Sequence, residues 1–322
     1  MTFAYLRPDS LPDALRALAE PSTVALGGGT DLLVWIEEGL AAPATLVDVR
    51  NLPGAAEITV GADGAMRIGA GVRIATLAEH PAVREHFPVL ADAARSVGTP
   101  ALRNMGTLGG NLGQRPRCWY LRRGVRCFKN GGTACAAVDG EHHYHGIIPG
   151  GTCHAVHPSD PAVALEALDA HIEIVAASGV SRRVTVEALF SGAAANPAAE
   201  LTLAQGELIT AIEIPAAARD GVQHWEKLMQ RGAWDFALVS CAAVRRADGA
   251  VRIALGGVGA APWRVSLSVE EDVASGGLDE ESLDALAERA LYDAEPLAQN
   301  AYKVTMARAA LRRAMRRLIA TA

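Results

Sequence analysis

Apolar positions along this chain come in short runs, each closed by glycine, proline or a polar turn. Leu11, Leu15 and Leu18 recur at helical spacing behind Ser10, with Pro12 in the first turn, and predict a helix over Ser10–Glu20. Thr23 to Leu26 reads as a strand that runs into Gly27-Gly28-Gly29-Thr30-Asp31, and Leu32 to Glu38 as a helix stopped by Gly39. Thr45–Val49 is the next strand, and Ile58–Val60 and Met66–Ala70 flank Asp63-Gly64 as a hairpin. Thr76-Leu77-Ala78-Glu79 matches a capping box, and Pro88–Ser96 reads as a helix ending at Gly98. After a second glycine run, Gly106 to Asn111, periodicity fades from about Arg115 to Gly151. So long a patternless stretch inside a compact domain points to function or to a bound ligand.

Pattern returns with a helix over Asp160–Ala170 and strands over His171–Ala176 and Arg182–Val186, around a Ser178-Gly179 turn. Ala193–Ala199, with Asn196-Pro197, reads as a domain boundary. Beyond it, Glu207–Ile214, Ala237–Arg245 and Val251–Leu255 read as strands, the last two a hairpin across Ala247-Asp248-Gly249. Leu278–Asp293 and Ala298–Ala320 read as helices, which makes this part α+β.

The length of 322 residues suits two domains. No apolar run approaches the roughly 18 residues of a membrane span. A net charge of −6 argues against a general nucleic-acid binder. Met1 to Pro8 has neither a basic nor an apolar signal region, so the expected location is the cytoplasm, with the periplasm as the alternative if a signal-bearing partner exports the folded chain.

Two glycine runs carry candidate chemistry. Gly27-Gly28-Gly29-Thr30, between strand and helix, lets backbone amides approach a phosphate at a helix N-terminus. Alone it is equally a tight turn. Gly106-Thr107-Leu108-Gly109-Gly110-Asn111 adds a hydroxyl and an amide side chain, and two such loops together favour a diphosphate. Gly257-Val258-Gly259 follows a strand, but Pro262 stands where a third glycine belongs, so it reads as structural.

Cys118, Cys127, Cys135 and Cys153 lie in the patternless stretch, spaced by eight, seven and seventeen residues. Without a secretory signal they read as metal ligands rather than bridges. The spacing leaves zinc and iron–sulfur open, and His142, His143, His145, His154 and His157 keep a Cys/His zinc site among the readings. The bland reading is a loop of free thiols. Cys241 reads as an inert core residue. Lys227 is either a surface charge or a cation beside an anionic ligand, and Arg308, Arg312, Arg313, Arg316 and Arg317 read as a solvated helix face. No nucleophile–base arrangement is readable, so if this is an enzyme a bound cofactor carries the chemistry.

Ala25 to Leu32, Arg103 to Leu112, Ser159-Asp160, Glu207 to Pro215 and Lys227 ahead of Arg231–Val239 resemble the FAD-binding medium subunit of the xanthine dehydrogenase family of molybdenum hydroxylases. Gln114 to Tyr120 and Cys135 to Gly140 resemble the subgroup with an added [4Fe–4S] cluster, to which periplasmic aldehyde oxidoreductases and 4-hydroxybenzoyl-CoA reductases belong. The resemblance implies an α+β fold: a vanillyl-alcohol-oxidase-like (PCMH-type) FAD domain of two subdomains over 1–190, and a smaller C-terminal domain over 200–322. It implies that Ala25, Leu26, Gly27, Gly28, Gly29, Thr30, Asp31 and Leu32 wrap the FAD diphosphate, with Thr107, Gly110 and Asn111 completing the second loop. Asp160 would bind the adenosine end. Leu208 and Lys227 would lie near the flavin ring, and the four cysteines would ligate the cluster. It also implies a large molybdenum-cofactor subunit and a small [2Fe–2S] subunit as partners, and an external electron acceptor. The competing readings are a zinc-stabilised, nucleotide-binding structural subunit without a redox role, and the flavin subunit of an aryl-CoA reductase.

Overall fold

The computed structural model describes residues 3–192 and 196–320. A three-stranded parallel sheet opens the chain, ordered β1 (Ala4–Leu6), β3 (Thr45–Asp48), β2 (Thr23–Leu26). Helix α1 (Leu11–Ala19) packs on it through Ala14, Leu15 and Leu18, and the Ser10 hydroxyl caps its first turn from 3.3 Å. Helix α2 (Leu32–Glu37) follows the first glycine run.

The second sheet has five antiparallel strands in the order β4 (Ile58–Val60), β5 (Met66–Gly69), β8 (Leu208–Ile214), β6 (His171–Val175), β7 (Ser181–Thr185). Between β5 and β6 the chain makes α3 (Ile74–Glu79), α4 (Pro81–His86), α5 (Pro88–Arg95), α6 (Pro100–Met105), α7 (Leu108–Leu112) and α8 (Trp119–Arg122), then α9 (Asp160–Ala167). Helix α10 (Val186–Phe190) follows β7. The third sheet is antiparallel, ordered β12 (Trp263–Arg264), β11 (Val251–Gly256), β10 (Val239–Arg245), β9 (Val222–Leu228). The long helix Tyr302–Ile319 packs on β10 and β9, over a core that includes Val239, Cys241, Leu311 and Met315.

Helix α9 is buried along its whole length. Its Ala162 to Leu165 share one core with Ile212 of β8 and with Ala242 and Ala254 of the third sheet. All-round burial explains its apolar sequence.

Several expectations change. Thr76 lies inside α3, which starts two residues earlier after Arg73, so no capping box forms there. The segment Gly106–Asn111 is not all loop, because Thr107 caps the short α7. Strand β8 lies beyond the 190/200 division drawn from sequence, yet it pairs with β5 and β6 in the middle of the sheet of the N-terminal unit. Its apolar run Leu208–Ile214 is what a strand covered on both faces requires. The expected boundary at Ala193–Ala199 falls partly on 193–195, outside the described residues. Strands β1 and β9 and the helix Leu267–Ser275 carry no pattern that announces them, and β9 is half-buried at every position.

Candidate functional site

A cleft of about 670 Å³ is lined from the first sheet by Val24 and Ala25, from the second by Leu208 to Thr210, and from the third by Lys227. That volume is within the range of sites for cofactor-sized ligands. Both glycine runs line it, as do Leu208, Asp160 and Lys227.

The two runs meet backbone to backbone. A Cβ on Gly28 would come within 2.0 Å of the Met105 carbonyl oxygen, and one on Gly27 within 2.6 Å of the Thr107 hydroxyl. The first run leaves its donors free: among the described residues the amides of Gly28, Gly29 and Thr30 donate to no carbonyl. Orphan amides ahead of a helix form a diphosphate cradle. The second run is braced instead. Its Leu108 and Gly109 amides bond to Val72 and Ala70, both at 2.8 Å, and Thr107 Oγ1 accepts from Gly110 N at 3.2 Å. Asn111 Oδ1 accepts from the Ser159 hydroxyl at 2.6 Å. The residues therefore fit a bound FAD diphosphate.

The expected site residues divide. Ala25 and Leu208 line the cleft, while the Leu26 side chain is buried beneath it with Leu46 and Ile36, against which Leu32 packs. Asp31 borders the cleft, but its carboxylate accepts from the Arg115 amide at 2.8 Å, Arg122 Nη2 at 2.8 Å and Arg117 Nη1 at 3.1 Å. Asp160 and Lys227 were expected at opposite ends of the cofactor. The structure joins them in one buried ion pair of 2.7 Å, and Lys227 Nζ also donates to the Ser96 carbonyl at 3.0 Å. They therefore sit at one place along the cleft. Burial pushes the Asp160 carboxyl up, against the pull of Lys227.

Beside the cleft the four expected cysteines and His145 border one small cavity. Trp35 of α2 packs on Leu121 and Cys127 at its wall. Burial raises the thiols of Cys118 and Cys153. Lys129, itself buried, adds a positive charge that favours the Cys153 thiolate, and it bonds to Pro197 O at 2.9 Å and Glu200 at 3.2 Å. Among the described residues no three Cys, His, Asp or Glu side chains converge on a single ion. The [4Fe–4S] cluster that the resemblance implies is held by four Cys thiolates. Four thiols around one cavity suit such a cluster as a donor set.

His142, His143 and His157 are otherwise engaged. His142 takes Ala137 O at 2.8 Å and the Gln299 amide at 2.9 Å, one on each ring nitrogen. His157 takes Gln114 O at 3.1 Å and the Ser159 amide at 3.4 Å. His143 stacks on Tyr302, and His145 Nε2 lies 3.3 Å from Cys118 Sγ. Gly257 to Gly259 are structural, as read. Val258 O accepts from Ile147 and Ile148 at 2.7 and 2.9 Å, and Gly259 O from His157 at 3.0 Å. Buried Lys303 donates to the carbonyls of Gly257 and His145. Cys241 is fully buried, and burial raises its thiol. On the last helix Arg308, Arg313 and Arg316 pair with Asp284, Glu226 and Glu280. Sequence reasoning missed Arg115, Arg117 and Arg122 as partners of Asp31, since nothing local links positions so far apart.

Residues 1–217 match the family described as FAD binding domain in molybdopterin dehydrogenase, and residues 225–318 match the CO dehydrogenase flavoprotein C-terminal domain. The aldehyde oxidoreductase FAD-binding subunit PaoB of Escherichia coli K12 is 35% identical over 313 residues, 96% of each chain. The putative xanthine dehydrogenase FAD-binding subunit XdhB of the same organism is 27% identical over 300 residues, 91% of this chain and 86% of that one. In fold the chain is similar to the reconstituted CO dehydrogenase from Oligotropha carboxidovorans, with a TM-score of 0.77 and 24% identity over 100% of this chain and 99% of that one. The paired glycine loops and the cleft between them belong to a chain of the xanthine dehydrogenase and CO dehydrogenase family, whose FAD-binding medium subunit, part of an oxidoreductase, this protein is.

Proposed function

We propose that this chain is the electron-transfer subunit of an aldehyde oxidoreductase-type molybdenum hydroxylase and carries a [4Fe–4S] cluster beside its FAD. The observation that carries the reading is the meeting of Cys118, Cys127, Cys135 and Cys153 at one cavity, next to the FAD cleft. The likeness to the aldehyde oxidoreductase subunit, at 35% identity, supports the choice of relative. A flavin takes up electrons singly or in pairs, which suits a branch point between iron–sulfur donors and an external acceptor.

In this reading the amides of Gly28, Gly29 and Thr30, at the N-terminus of α2, hold the diphosphate. Asp160 and Lys227 together orient one end of the cofactor, and the apolar edge at Leu208 excludes water. The four thiolates hold the cluster. Electrons arrive from a small [2Fe–2S] subunit, and substrate meets the molybdenum cofactor on a large one. The complex works in the cytoplasm, or in the periplasm where a partner carries the export signal.

The test is a visible spectrum of the purified chain, with FAD, iron and acid-labile sulfide assayed on the same sample. The expected content is about one FAD, four iron and four sulfide per chain. Cys118→Ser should lose iron and retain flavin. FAD without iron in anaerobically prepared protein overturns the cluster, and zinc without visible colour overturns the electron-transfer role.

A further inference from the structure

Helix α2 serves both cofactor sites at once. Its N-terminal side ends the glycine run Gly27–Thr30, and its Trp35, only 3% exposed, lines the cleft and packs against Leu121 and Cys127, two residues that line the cysteine cavity. Two guanidiniums from the cysteine loop cover that indole, Arg115 at 4.3 Å and Arg122 at 4.5 Å. The same loop takes the Asp31 carboxylate through the Arg115 amide and the Arg117 and Arg122 side chains. Arg122 also donates to the carbonyl of Pro116 at 2.9 Å, so its head group is fixed from both sides.

We infer that Asp31 couples the two sites, so that a filled cysteine loop is required for tight FAD binding. The inference rests on the cluster reading above. Its physical basis is charge. Asp31 is an anion at the end of a loop built for a diphosphate, where an unpaired carboxylate repels the ligand. Arg117 and Arg122 neutralise it only while the loop that carries Cys118 is folded against α2. Emptying the cluster site frees that loop and leaves Asp31 uncompensated beside the diphosphate. Coupling of this kind is reciprocal, so FAD also protects the cluster.

The test is a thermodynamic cycle on the full chain, read by titrating apo-protein with FAD and following quenching of flavin fluorescence, with iron assayed in parallel. Cys135→Ser should lose iron and weaken FAD binding about tenfold, a usual size for coupled sites. In the Asp31→Asn background the same cysteine change should alter FAD affinity less than about twofold, because the repelling charge is gone. Iron should leave the parent chain more slowly, on exposure to a chelator, when FAD is present. Arg122→Met, which retains the stem but not the charge, repeats the cycle if Asp31→Asn fails a circular-dichroism check of folding. Equal FAD affinity in parent and iron-free Cys135→Ser overturns the coupling and leaves the cluster standing. A parent chain that never holds iron overturns the cluster reading and the coupling with it.

Discussion

Gly28 leaves no room for a side chain, since a Cβ there would meet the Met105 carbonyl oxygen at 2.0 Å and Gly106 Cα at 2.6 Å. Both obstacles are backbone, so neither can swing away. Gly28→Ala should therefore part the two loops, lower stability by about 1–3 kcal/mol and weaken FAD by more than about tenfold. Fluorescence titration and urea unfolding would check this, and wild-type affinity in the variant would refute it. At Asp160 the issue is charge rather than space. Lys227→Met strands a buried carboxylate and should lower stability by about 3–5 kcal/mol, whereas adding Asp160→Asn should recover most of the loss. Lys303 sets a pH dependence. Burial holds it down to about 7 from 10.5, so between those values the unfolded chain binds a proton that the folded chain lacks. Stability should rise with pH across that window, by up to about 1.4 kcal/mol per unit, and below about 7 the burial penalty applies in full. Urea midpoints of the parent minus those of Lys303→Met isolate the effect, and a flat difference would mean that the Gly257 and His145 carbonyls keep the ammonium charged.

At the scale of elements, legibility followed locality. The amphipathic α1 with its Ser10 cap, the glycine turn before α2 and the apolar run of α9 each carry their signal within a few residues. Strand β9 does not, because Val222–Leu228 is half-buried throughout and its polar positions do not alternate with apolar ones. Strand β8 was legible as a strand but not as to its sheet, since its partners are Met66–Gly69 on one side and His171–Val175 on the other. The site shows the same division. Its glycines and cysteines stand out by type, but the Asp31 contacts span 84 and 91 residues and the Asp160–Lys227 pair spans 67, distances at which no sequence pattern links two positions. The place of β8 can be probed directly. Ile212 is fully buried in the core shared with α9, so Ile212→Ala should lower stability by about 2–5 kcal/mol and disturb the N-terminal unit with it. An unchanged denaturation midpoint would contradict the pairing.

Across the whole molecule the two matched regions are not two separable bodies. The core around α9 includes Ala242 and Val244 of β10 and Ala254 of β11. A fragment ending at residue 217 would expose the α9 face that these residues cover, and it should aggregate or bind the dye ANS unless the remainder is supplied. A monomeric, dye-silent fragment would show that the first part completes its own core. Strand β8 also imposes an order in time. The ribosome delivers the hairpins β4–β5 and β6–β7, and all the cysteines of the cavity, before the strand that joins the two hairpins into one sheet. During that interval the thiols are presented on a half-made domain. Neither hairpin can join the shared core around Ile212 until residue 214 has been made, so the N-terminal unit closes only after a strand encoded well beyond its other strands is in place.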